Sequence, residues 1–136
     1  MKMIPKSLLN EYLKTSYDVD SLGLKIEIHQ KNEELNRFLK EFSYDSWCFI
    51  TAWNPYSKAL PKKENIIFNN NLKIDLVQYK IYPSIGRPRN TEWEAEESFF
   101  VLNINEQEAI NLGIKFKQNA IVYGYVNCEP KLLELI

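Results

Sequence analysis

Glycine is scarce in this chain, at four residues among 136, and none of the four stands in a Gly-x-Gly-x-x-Gly or phosphate-loop pattern. A glycine cradle for a nucleotide is thereby excluded. Histidine occurs once, as His29, and is expected to lie away from Thr51. Ser57 and Ser98 have no neighbouring histidine and no Gly-x-Ser-x-Gly elbow, so a serine triad is not expected. The two cysteines, Cys48 and Cys128, lack the spacing of a secreted disulfide framework. They read as one buried and one surface thiol. One histidine and two distant cysteines are too few for a usual zinc site, so no metal and no cofactor are expected. An oxygen-only magnesium site at Glu96 or Glu97 stays open.

Long apolar runs are also missing. None approaches the roughly 20 residues of a membrane helix, and residues 1–5 carry no signal-peptide stretch. A cytoplasmic location without a membrane partner is the default expectation. Excess charge is absent too. With a formal net charge of -1, the chain has no general attraction for phosphate backbones, so nucleic acid is not an expected partner.

What is present is ordinary globular composition, 45% hydrophobic and 26% charged, enough to bury a core without a staple. The length suits one domain over 1–136. Residues 5–15 carry Leu8, Leu9, Tyr12 and Leu13 on one helical face behind Pro5. Residues 22–28 alternate as a strand with one wet face. Asn32 is placed to cap a helix with the stripe Leu35, Phe38, Leu39 and Phe42. The run Trp47-Cys48-Phe49-Ile50-Thr51-Ala52-Trp53 predicts a central strand buried on both faces, ended by Asn54-Pro55. Residues 62–78 predict a helix with Ile66, Ile67, Asn70, Ile74 and Val77 near one face, although three consecutive asparagines weaken it. Residues 79–85 read as a strand in which Pro83 suggests an edge or an early end. Residues 97–104 form another strand, Asn105 and Glu108 resemble a capping box for the next helix, and residues 119–126 give a last strand.

The order is α-β-α-β-α-β-β-α-β. It predicts an α/β (α+β) fold with a single mixed sheet of about five strands. The final β-α-β-β-α-β portion is ferredoxin-like, and helices cover the sheet. If the strand at 47–53 runs upward, this order carries four segments to one sheet end. The convergent polar and aromatic residues are Thr51, Trp53, Asn54, Ser57, Arg87, Arg89, Trp93, Glu96, Glu97, Ser98, Gln118 and Asn119. Such a mixture suits a small-ligand site. The alternative is that these side chains cap elements and tie loops together. Neighbouring strand residues face opposite ways, so one of Glu96 and Glu97 at most should enter a given pocket.

The block Phe49-Ile50-Thr51-Ala52-Trp53-Asn54-Pro55-Tyr56-Ser57 resembles a bacterial family of uncharacterised proteins, domain of unknown function 3293. The resemblance continues through Glu64-Asn65, Trp93, Glu96-Glu97-Ser98-Phe99, Phe116, Gln118-Asn119-Ala120-Ile121-Val122 and Gly124. Residues 66–95 depart from it. The resemblance implies a bacterial source and marks the convergent blocks as family motifs, but it implies no activity, cofactor or catalytic residue. Two functional expectations follow. One is a small-ligand-binding domain or small enzyme that uses the sheet end around Thr51–Pro55, with an unidentified small molecule as partner. The other is a non-catalytic protein-interaction or regulatory module, or a homo-oligomer, that uses a strand edge or Tyr79, Tyr82, Tyr123 and Tyr125.

Overall fold

The computed structural model describes residues 4–89 and 94–135. Helix α1 spans Lys6–Lys14. Strands β1 (Ser16–Val19) and β2 (Leu24–Ile26) form a hairpin around a single 3-10 turn and Gly23, whose φ of 66° is readily adopted without a Cβ. The expected strand at 22–28 is thus only the second arm of a hairpin. Then follow α2 (Glu33–Glu41), β3 (Ser46–Ile50), α3 (Lys62–Asp75), β4 (Lys80–Arg87), β5 (Glu96–Leu102), α4 (Glu106–Lys115), β6 (Ala120–Tyr125) and β7 (Lys131–Glu134). The two expected asparagine caps are made. Asn32 Oδ1 accepts the Leu35 N–H at 2.9 Å, and Asn105 Oδ1 accepts the Glu108 N–H at 2.8 Å.

The strands form one seven-stranded sheet in the order β2-β1-β4-β5-β3-β6-β7, and every neighbouring pair is antiparallel. The expectation of a mixed sheet of about five strands is therefore corrected. Both hairpin strands and the short β7 join the sheet, and no parallel pair forms among the described residues. The segment β3-α3-β4-β5-α4-β6 makes the middle of the sheet, in the order β4-β5-β3-β6. Strand β3 is buried along its whole length, because both faces are covered. Pro83 sits inside β4, not at its end, but pairing with β1 stops at Ile85. The lower half of β4 is thus a local edge, which tolerates a residue without an N–H.

Alternation along β3 divides the core in two. Trp47 and Phe49 pack with Tyr17, Val19, Ile26, Phe100, Leu102 and Val122 under Leu35 and Leu39 of α2. Cys48 and Ile50 pack on the other face with Val101, Ile121 and Tyr123 under Leu72 of α3 and Ala109 of α4. The sheet curls around the first of these clusters. Just beyond edge strand β2, the His29 N–H donates to Pro130 O, just before edge strand β7, at 2.8 Å. Cys48 is buried and Cys128 exposed, and both are free. No described helix is long and apolar enough to cross a membrane.

The face of α3 differs from the expectation. Ile66, Ile67, Ile74 and Val77 are exposed, while Asn65, Asn69 and Leu72 are buried. The helix turns two asparagines inward because the chain after β3 needs hydrogen-bonding partners there. The proposed aromatic surface also changes. Tyr123 is fully buried and donates to Ile104 O at 2.6 Å.

Candidate functional site

Strand directions bring the ends of β3 and β4 and the starts of β1, β5 and β6 to one end of the sheet. The turn after β3 is the most irregular backbone there. Asn54, Tyr56 and Ser57 all have positive φ, at 47°, 53° and 62°, a conformation non-glycine residues rarely adopt. Hydrogen bonds hold it in place. Asn54 Oδ1 accepts from the Leu60 N–H at 3.0 Å and from Asn65 Nδ2 at 2.7 Å, and the Tyr56 N–H donates to Lys117 O at 2.7 Å. Thr51 Oγ1 donates to Glu97 O at 2.7 Å and accepts from the Trp53 N–H at 3.0 Å. Asn69 bridges the same strands, accepting from the Ala52 N–H at 2.8 Å and donating to Glu97 O at 2.9 Å. Asn119 Nδ2 donates to Ser57 Oγ at 2.9 Å.

This scaffold leaves a cavity of about 80 Å³ beneath α1, open to solvent. That is room for several waters or a small ligand. Thr51, Trp53, Asn54, Ser57, Glu96, Ser98 and Gln118 line it. Asn119 is buried behind Ser57. Glu97 points to the opposite face, beside α3, where it lines a different depression with Asn69. Trp93 lies outside the described residues. Arg87 and Arg89 turn to the β1–β2 hairpin. Arg87 forks onto Asp20 and reaches the buried Asp18 at 2.7 Å, and Arg89 pairs with Glu27.

Further walls come from residues that the sequence alone did not connect with the site, among them Leu8, Glu11 and Tyr12 of α1, Thr15, and Tyr17 of β1. Leu8 and Tyr12 share the apolar face of α1, which was the available signal. Helix α1 has no fully buried residue, as suits an element laid across an open cleft.

Glu96 dominates the electrostatics. The residue is half-buried with its carboxyl largely shielded from solvent, and among the described residues its one side-chain hydrogen bond is a long one from Asn54 Nδ2, at 3.5 Å. Burial pushes its pKa up from 4.5 to about 7, against the opposing pull of Asn54. Burial also lifts the Tyr12 hydroxyl to about 12, against the opposing pull of the Ser57 hydroxyl. Tyr17 is raised for the same reason, and its hydroxyl donates to Tyr12 O at 2.9 Å. Among the described residues, no group of three or more His, Cys, Asp or Glu is placed to hold a metal ion.

A family model described as Protein of unknown function (DUF3293) matches residues 50–121. The chain belongs to this family. The segment matched in DUF3293 carries the turn after β3, Glu96 and Gln118, while the α1 and β1 walls of the cavity lie before it. No curated protein and no solved structure matches the chain.

Proposed function

We propose that the chain binds a small ligand in the cavity beneath α1, with Glu96 as the polar group that meets it. One observation carries this reading: a largely desolvated carboxyl lines an open cavity with a single 3.5 Å hydrogen bond and no ion-pair partner among the described residues. A buried carboxyl is normally paired or well hydrogen-bonded, because its desolvation is costly. A ligand group would complete this one. A carboxyl titrating near neutrality is also suited to general acid–base work, so a small enzyme would draw on the same residue.

The hydrogen bonds of Thr51, Asn54 and Asn119 support a framing role for these side chains. Their polar atoms already hold the turn, while Glu96 faces the space. Screening a 15N-labelled sample with small neutral, anionic and cationic fragments tests the reading. Amide shifts should gather at Tyr12, Thr51, Glu96, Gln118 and Val122. Shifts confined to the depression beside α3, or scattered over the surface, would contradict it.

A further inference from the structure

We infer that the occupant of this cavity is an organic cation, a small molecule carrying an alkylammonium group. The inference rests on the reading of the cavity as a ligand site and adds the chemistry of the ligand.

The charge of the lining is one-sided. Glu11, Glu94 and Glu96 line the cavity, and no lysine, arginine or histidine does so among the described residues. Glu11 Oε2 is a second, independent sign. It has essentially no solvent contact and, among the described residues, no hydrogen-bond partner. An acceptor in that state is expensive to bury and calls for a donor. The walls add a further preference. Tyr12, Tyr17, Phe49 and Trp53 line the same space, and aromatic faces attract cations, most strongly where water is excluded. An alkylammonium group supplies three donors and a positive charge to the carboxylates, and its alkyl part suits the apolar walls. An anion would meet three carboxyl groups and, among the described residues, no cationic side chain. A neutral alcohol would offer one donor and leave the charge unbalanced.

Binding should then depend on the protonation of Glu96. The groups facing it are Asn54 on the turn after β3, Glu11 and Tyr12 on α1, Tyr17 on β1 and Glu94 just before β5. With both tyrosines raised in pKa, neither is ionised near neutrality. Glu96, whose carboxyl is pushed up to about 7, is the group whose ionisation changes there.

The test uses three probes matched in length: n-butylamine, 1-butanol and butyrate, each titrated at millimolar concentration into the 15N-labelled full chain. At about pH 8, butylamine should shift the amides around the cavity and bind most tightly. Its affinity should fall about tenfold at about pH 5.5 and in Glu96→Gln, because each removes the charge partner. Glu11→Gln should also weaken it. If 1-butanol or butyrate binds the same amides as tightly as butylamine, the cationic class is overturned while the ligand site stands. If no probe moves those amides, both readings fall. The same ammonium head is carried by a lysine side chain. Blocked N-acetyl-lysine methylamide binding more tightly than butylamine would assign the site to a protein lysine, and weaker binding would assign it to a free amine.

Discussion

Asn54 and Asn65 form a reciprocal pair: the Asn54 N–H donates to Asn65 Oδ1 at 2.8 Å, and Asn65 Nδ2 donates to Asn54 Oδ1 at 2.7 Å. Asn65 is 1% exposed, so water cannot replace either bond. The pair ties the positive-φ turn after β3 to the first turns of α3 and thereby fixes one wall of the cavity. Asn65→Ala should destabilise the chain by about 2–3 kcal/mol, since it leaves the Asn54 amide without its partner. Urea denaturation measures this, and a loss within error of zero would show that the turn is held by other contacts.

Gly124 lies opposite Trp47 in the β3–β6 ladder. A Cβ on Gly124 would stand 2.6–2.7 Å from the indole ring, too close for any side chain. The glycine is required by the approach of Trp47, not by its own dihedral angles. Gly124→Ala should cost about 1–3 kcal/mol, as overpacking of a core does, and its chemical-denaturation midpoint should fall accordingly. A midpoint equal to that of the parent would mean that Trp47 has another place to go.

The sequence exposed the parts of this fold that rest on simple periodicity. The apolar run at 47–53 marked the central strand, although the strand itself ends at Ile50 and residues 51–53 belong to the turn region, and Asn32 and Asn105 marked helix starts. The alternation of strand directions was enough to bring Thr51, Glu96 and Gln118 to one end, whatever the strand count. Alternation also separated Glu96 from Glu97. Other features were hidden by polar residues doing buried work. Strand β1 contains Asp18, 1% exposed, and a buried aspartate reads as a loop until Arg87 is placed beside it. The buried side of α3 is marked by Asn65 and Asn69, so a search for its apolar stripe picked out the exposed isoleucines instead. Strand β7, four residues long and only partly buried, carries too little pattern to stand out. Glu11 and Tyr17 belong to elements whose neighbours in space are remote in sequence.

Ala120 opens β6 with its side chain on the cavity side, two residues before Val122, and both line the cavity. Ala120→Ile should fill part of the empty space. Filling a cavity is tolerated or stabilising where room exists, so the melting temperature should hold or rise while the amide shifts caused by n-butylamine disappear. Retained shifts would place the amine elsewhere.

Glu96 should also shape the dependence of stability on pH. Its folded-state pKa, about 7, lies above its ordinary value of 4.5, so between these values the folded chain binds more protons than the unfolded one. Stability therefore falls as pH rises from about 4.5 through about 7 and then levels off, a loss of about 3 kcal/mol at most. Glu96→Gln should flatten this part of the profile and be more stable than the parent at about pH 8. Parallel profiles for the two proteins, measured by denaturation across the range, would assign the dependence to other groups.

The titration of Glu96 itself is the sharpest test of its assignment as the charge partner of an amine. The side-chain carboxyl carbon of Glu96 can be followed by NMR against pH, first in the free chain and then with n-butylamine at saturation. A midpoint near 7 is expected in the free chain, with a clear downward shift in the presence of the amine, because a bound cation favours the ionised form. A free midpoint near the ordinary 4.5, unchanged by the amine, would contradict it.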